Sequence, residues 1–498
     1  MSLLSKTKPL FKRINFTSLT IVVSILLALL SLWYFNSQKI YYVGSDIYYY
    51  FSLSDSLNKF GYLSDLTRVP AWSLKTPQNG IVFLVNLLEN TGMSKASIIT
   101  QLPSLLFILY SFSFIPIYKI TKLFKFNKSQ TNLVALFYFS NWWIYRLQLL
   151  PSNDGFFNVL SFWFIYLVLE NWLNRKKTLI PIFAIALISP HFRIHTFLIL
   201  ISLVIATYLS KKRKNLMKSL LIFATSYASL KLFFLTKYVN PFDKDIGNAG
   251  AQITGMFNRF FGESNRNFIL PLLASFSKQI HLAIPSLFLT PLDRISPTLN
   301  WLYLPILFFP LYYFAKGIKD KKFTYLFLSL FISISFLFSL VTPYFSERHY
   351  AYTYIFVIIL MVKFLYSKSF LKPFLYIYLF TLMSYSLFAF SKGYPRACRP
   401  LLLYQLQEEG VVLEDNAILV SQEPRHSYYF LGKSHTSLDN NQINSQNKNI
   451  YIFGSANYIG KNLTKINSKS SIKFNTRTIQ NLTSNQETCS LVKLNSYL

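Results

Sequence analysis

Acidic side chains are scarce in this sequence: 19 Asp and Glu stand among 498 residues, against 50 Lys and Arg. Charged residues of both signs make up only 14% of the chain, where an ordinary soluble domain carries about a quarter. That excludes a conventional water-soluble enzyme. Cysteine is nearly absent, with two in the whole chain, which excludes a disulfide-dense scaffold and a Cys/His cluster of zinc spacing. Glycine is sparse at 15 residues, and no repeat of fixed period or pair of matching halves is present. Ionisable groups are also nearly missing from the apolar runs. Together these weigh against a transporter built from broken helices and internal repeats.

What the chain has instead is apolar and aromatic surface. Hydrophobic residues form 52% of it, with 49 Phe, 34 Tyr and 7 Trp. Such rings gather where a membrane meets water. The formal net charge of +31 does not indicate nucleic acid, because the Lys and Arg residues sit in short clusters between apolar runs.

Lys6, Lys8, Lys12 and Arg13 precede an apolar run over 19–35 that ends in Leu32, Trp33, Tyr34 and Phe35. A cleaved leader would have a shorter core and small residues at its end. The run reads as a retained first helix with its N-terminus in the cytoplasm. Further spans are expected at 96–118, 131–149, 155–173, 178–190, 196–210, 217–236, 299–315, 323–341, 350–366 and 372–390. The fold class is therefore an all-α polytopic membrane protein of about eleven transmembrane helices. The stretch 268–290, with Lys278, Gln279 and His281, reads as interfacial or re-entrant.

With that assignment every second connection is basic, as in Lys119 to Lys128, Lys211 to Lys218, Lys316 to Lys322 and Lys363 to Lys372. These connections are cytoplasmic by the positive-inside rule. Acidic residues, among them Asp46, Asp55, Asp65, Glu89 and Asp154, fall on the other side. Acids do not set orientation, so their placement points to a working site on the extracytoplasmic face. Two long external loops, 36–95 and 237–298, could roof a cavity there. Amphipathic stretches at 47–60 and 79–90 of the first loop suit the interface.

The membrane module ends near residue 391. From 392 to 498 the composition turns to Asn, Ser, Gln and Lys. Residues 417–420 and 450–453 read as short buried strands and 400–407 as a helix, giving a small C-terminal extracytoplasmic α/β domain. Both cysteines, Cys398 and Cys489, lie in it. The oxidising side of a membrane permits a disulfide between them, and two buried thiols are the alternative.

The candidate catalytic residues are two carboxylates. Asp46 follows the first helix in the run Tyr41 to Asp46, and Asp154 sits in the turn Pro151 to Gly155 before the fourth span. A carboxylate at the hydrocarbon boundary needs a partner or a task, although Asp154 could also cap its helix. Lys75, Arg193 with His195, and Arg348 with His349 are basic groups on the same face, where topology does not require them. Such cations suit a phosphate-bearing lipid, and contact with headgroups is the bland alternative.

In order and spacing these motifs resemble the GT-C superfamily of membrane glycosyltransferases, nearest the protein O-mannosyltransferase and aminoarabinose transferase type, over residues 17–390. Asp46 matches the family's acidic motif after the first helix, although Ile47-Tyr48-Tyr49 departs from the Asp-Glu pattern. Lys75-Thr76-Pro77 matches a Lys-Pro motif imperfectly. Asp154-Gly155 matches a second Asp opening the fourth helix, and Arg348-His349-Tyr350 a motif opening a late one.

The resemblance implies transfer of a sugar from a polyprenyl-phosphate-linked donor to an extracytoplasmic glycan, lipid or protein acceptor, with inversion. In that reaction Asp46 is the general base, and Lys75, Arg193, Arg348 and His349 are the donor-phosphate ligands. Asp154 orients Asp46, binds acceptor or helps hold a divalent cation; the metal itself is not determined. A bacterial plasma membrane is the expected location. A lipid-linked polysaccharide polymerase or ligase, and a flippase or transporter, remain as alternatives.

Overall fold

The computed structural model describes residues 45–66, 72–73, 79–141, 152–174, 179–234, 236, 306–341 and 351–392. In the C-terminal region it describes 402–403, 405–407, 409–414, 417–431, 449–469, 473–484 and 487–497. The expected first helix, the 268–290 stretch and the sites at Lys75, Arg348, His349 and Cys398 lie outside the described residues.

Two amphipathic helices come first, α1 (Ser45–Phe60) and α2 (Gly80–Asn90), with a short hairpin between them, β1 (Ser64–Asp65) and β2 (Trp72–Ser73). Both helices were legible as amphipathic stretches of the first loop. The bundle follows as α3 (Lys95–Phe112), α4 (Phe114–Leu123), α5 (Lys128–Ser140), α6 (Asn153–Asn174), α7 (Leu179–Phe192), α8 (Thr196–Leu209), α9 (Arg213–Phe234), α10 (Phe308–Asp320), α11 (Phe323–Val341), α12 (Ala351–Leu365) and α13 (Lys372–Lys392). Among the described residues three stretches are long and apolar enough to cross a membrane: Lys95–Leu123, Asn153–Leu173 and Asn215–Phe233. Shorter apolar helices make up the rest.

Burial sorts the helices by place. Every residue of α12 from Ala351 to Val362 is buried, as expected of a helix apolar on all sides. It is the centre of the bundle. On α13, by contrast, Phe374, Ile377 and Phe380 are exposed, and so are Leu221 and Leu232 on α9. Large apolar side chains left bare in this way suit contact with lipid tails.

The basic turns gather at one end. Lys212 Nζ donates to the Trp172 carbonyl at 2.6 Å and Lys363 Nζ to the Phe124 carbonyl at 2.8 Å. Each lysine thus satisfies a carbonyl left open at a helix C-terminus. Phe124 in turn packs on Tyr325, and Trp172 stacks on Phe323, from the start of α11. Three of these turns are closed by a lysine in the left-handed region: Lys125 (φ 56°), Lys211 (φ 57°) and Lys321 (φ 51°). In each, the next residue's N–H bonds back to the helix, as Lys322 does to Gly317 at 3.0 Å. Because α6 is 22 residues long, its first turn lies about 30 Å from this basic end.

The C-terminal domain holds a four-stranded sheet in the order β3-β4-β6-β5, from β3 (Ile418–Ser421), β4 (Ile450–Ser455), β5 (Lys473–Ser484) and β6 (Glu487–Tyr497). The β3–β4 pair is parallel and the other two are antiparallel. Helices α14 (Pro424–Leu431) and α15 (Ala456–Lys469) accompany it, and the described residues of 402–407 are helical. The domain was expected to be α/β, with β3 and β4 where the apolar runs lie; β5 and β6 were not anticipated. Cys489 is buried on β6 and bonded in a disulfide.

The domain is docked on α1. Tyr429 lies 4.9 Å from Tyr48 and stacks on Phe51 at 5.5 Å, and Phe430 lies 5.7 Å from Tyr48, ring centre to ring centre. Beside this aromatic contact the Tyr428 phenol bonds to Asp55, and burial together with that carboxylate pushes it up to about 12.

Candidate functional site

Asp46 lies in the first turn of α1, and Tyr50 follows it by four residues on the same face. Helix α1 is fixed from three directions. Its aromatic residues hold the C-terminal domain, Ser52 Oγ donates to Asp65 at 3.3 Å, and polar groups join it to α2 and α3. Within that polar group Ser54 donates to Glu89, Asn86 donates to Ser54 at 3.0 Å, and Lys95 pairs with Asp55 at 2.6 Å. These contacts hold the middle of α1, just beyond the turn that carries Asp46.

The other half of the site comes from the beginning of α6. Asp154 lies within the first turn of α6, 4% exposed, and forms an ion pair with Arg193 from the α7–α8 turn. Arg193, expected among the donor-phosphate ligands, spends one Nη on Asp154, because a carboxylate this deeply buried needs a cation; the guanidinium has five N–H donors, so this contact does not exhaust it. Gly80 allows the approach of this turn: a Cβ there would lie 2.9 Å from the Phe192 ring, next to Arg193.

Asn153 ties the two halves together. Its Oδ1 accepts the Ile81 N–H at 3.3 Å, closing the N-terminus of α2 from outside that helix. Its Nδ2 donates to the Tyr50 hydroxyl at 3.3 Å, and Asn153 itself is 4% exposed. Tyr50 stands within electrostatic range of Asp46, Arg193 and Asp154 together. Burial first, then the two carboxylates, push its ionisation far above the ordinary phenol range, and Arg193 offsets only part of this. The structure thus brings Asp46, Asp154 and Arg193 around one buried phenol.

His195 lies close by but in a nest of rings. Phe157, Phe338 and Tyr352 stand 6.1, 5.5 and 5.6 Å from it, ring centre to ring centre. Sequence reasoning missed Tyr50 and Asn153. The signal for Tyr50 was its i+4 spacing from Asp46; for Asn153 it was adjacency to Asp154.

Among the described residues no group of three or more His, Cys, Asp and Glu stands together, and Asp154 pairs with Arg193; a divalent cation held with the help of Asp154 stays a proposal. The chemistry available is that of a carboxylate, a guanidinium and a phenol at the end of the bundle opposite the basic turns.

No protein-family model and no curated protein matches this chain. Its fold is similar to that of the oligosaccharyltransferase of Archaeoglobus fulgidus, solved tethered to an acceptor peptide containing the NVT sequon. That match has a TM-score of 0.51 at 12% identity, over 89% of this chain and 69% of that one. A second structure of that organism's oligosaccharyltransferase, with an inhibitory peptide and a dolichol-phosphate, matches with a TM-score of 0.49 at 14% identity, over 84% of this chain and 60% of that one. The shared membrane fold and the apolar helices make this chain an integral membrane protein.

Proposed function

We propose that this chain is a membrane glycosyltransferase of GT-C type, taking a sugar from a polyprenyl-phosphate-linked donor and passing it to an acceptor outside the cytoplasm. The observation that carries the reading is the meeting of Asp46, Asp154 and Arg193 around Tyr50, at the end of the bundle away from the basic turns. The fold is shared with an oligosaccharyltransferase solved tethered to an acceptor peptide, which favours a protein among the glycan, lipid and protein acceptors considered.

In the proposed reaction an acceptor hydroxyl attacks the anomeric carbon from the face opposite the phosphate. The C1–O bond to phosphate breaks, its electron pair stays with the phosphate, and the hydroxyl proton passes to Asp46. General-base help of this kind contributes about 10²–10⁴-fold. Arg193, held in place by Asp154, faces the negative charge growing on the leaving phosphate, where a preorganised cation acts best. Lys75, Arg348 and His349 are proposed as further phosphate ligands. The expected setting is a bacterial plasma membrane, with the N-terminus inside and residues 392–498 outside.

The test is a transfer assay with full-length protein in lipid, supplied with labelled polyprenyl-phosphate sugars and a panel of glycan, lipid and peptide acceptors. Release of polyprenyl phosphate in step with an inverted glycoside supports the reading. Movement of intact donor across the bilayer, with no bond broken, would instead identify a flippase.

A further inference from the structure

Tyr50 is 6% exposed, and its hydroxyl oxygen is filled from one side. Asn153 Nδ2 donates to it at 3.3 Å. A phenol oxygen that accepts from one residue in this way must aim its own O–H elsewhere. Among the described residues no acceptor receives that proton. The groups in electrostatic reach are Asp46, Arg193 and Asp154, the three already placed at the reacting centre. A buried donor with no acceptor is a standing cost unless a ligand brings the missing atom.

The proposed reaction brings two polar partners to this place. The acceptor hydroxyl must give up its proton and loses electron density as it attacks, so it gains nothing from a second donor. The phosphate oxygen that leaves C1 gains negative charge at that moment, and a fixed neutral O–H interacts with it more strongly as the bond breaks. The phenol keeps its proton throughout, because burial and two nearby carboxylates oppose its ionisation.

We infer that Tyr50 is a further catalytic residue, whose O–H donates a hydrogen bond to an oxygen of the lipid phosphate as the sugar departs. The inference rests on the glycosyl-transfer reading above. No bond to Tyr50 forms or breaks: C1 exchanges the phosphate oxygen for the acceptor oxygen, the proton released goes to Asp46, and the Tyr50 hydrogen bond tightens on the freed phosphate. Asn153 is then a positioning residue, aiming the phenol.

Binding to full-length protein in nanodiscs tests this with two probes, farnesyl phosphate and farnesol, which differ only in the phosphate. Tyr50→Phe should weaken farnesyl phosphate about tenfold to a hundredfold, the range of a hydrogen bond to a charged group, and leave farnesol unchanged. Asn153→Ala, which keeps the phenol but releases its aim, should give a smaller loss of the same selectivity and stands in should Tyr50→Phe fail to fold. Unchanged phosphate binding in Tyr50→Phe, or equal loss of both probes in either variant, would overturn the assignment. Should the unaltered protein hold farnesyl phosphate no better than farnesol, the lipid-phosphate reading of the site itself would fall, independently of Tyr50.

Discussion

Arg193 and Asp154 form an ion pair between the α7–α8 turn and the first turn of α6, with side chains 16% and 5% exposed. Neither residue reaches water easily, so the pair offsets part of the cost of burying both charges.

This gives a double-mutant test. Arg193→Ala alone removes the cation paired with a buried carboxylate and should lower stability by about 3–5 kcal/mol, whereas joint replacement by apolar residues should cost much less. Equilibrium unfolding of the four proteins in detergent measures the difference. Additive losses would mean that the pair is not coupled.

Asp46→Asn keeps the size and most of the hydrogen bonding of the carboxylate but removes the basic oxygen. Turnover should fall by at least about a hundredfold, with thermal stability held, if Asp46 takes the acceptor proton. Asp154→Asn should be milder in turnover and worse in stability if that residue mainly holds Arg193. Near-normal rates with Asn at position 46 would remove Asp46 from the mechanism.

Glu89 supplies a pH test. Its carboxyl is raised above the ordinary value, by burial first, and the Ser54 hydroxyl and Lys95 oppose this only in part. A carboxyl raised in the folded state contributes stability that is fully present below its unfolded value and is lost as pH rises through the folded one. At neutral pH the charge is therefore a net cost. Glu89→Gln should raise the melting temperature at pH 7, and the gain should vanish as pH falls below the usual carboxylate range. A gain that is the same at every pH would contradict this account.

The pairing proposed for Cys489 is with Cys398, the one other cysteine in the chain. Thiol labelling of the unreduced, denatured protein should then find no free cysteine. Cys489→Ser should cost the C-terminal domain about 3–5 kcal/mol on the chain-entropy account. Stoichiometric labelling of both thiols would end the proposal.

The helices were legible because long apolar runs leave the backbone few alternatives, although only three are long enough to cross a membrane among the described residues, and α1 and α2 because their apolar faces recur at helical spacing. Strands β3 and β4 were legible as unbroken apolar runs, consistent with their burial in the sheet. Strand β5 was not, since it lies at the sheet edge with Thr476, Thr478 and Gln480 among its residues and a register shift between Thr478 and Gln480. Polar, Asn-rich sequence of that kind reads as loop until a partner strand is known. At the site, Asp46, Asp154 and Arg193 stood out as charges at an apolar boundary. Tyr50 carried no charge and was one of 34 tyrosines, so only its partners distinguish it.

The lysines at 125, 211 and 321 hold the left-handed backbone positions where glycine is easiest. Each costs roughly 1 kcal/mol against glycine for a residue with a Cβ. Folding alone would favour the exchange, yet on the proposed topology a glycine there would strip a positive charge from a cytoplasmic turn, where lysine and arginine bias orientation during insertion. Lys→Gly at all three should yield a bundle that melts higher once made but is made correctly less often, with a larger share of chains inserted upside down. Protease accessibility of residues 392–498 in sealed vesicles would report that share. On that topology the three turns set the durability of the finished fold against the fidelity of its biogenesis.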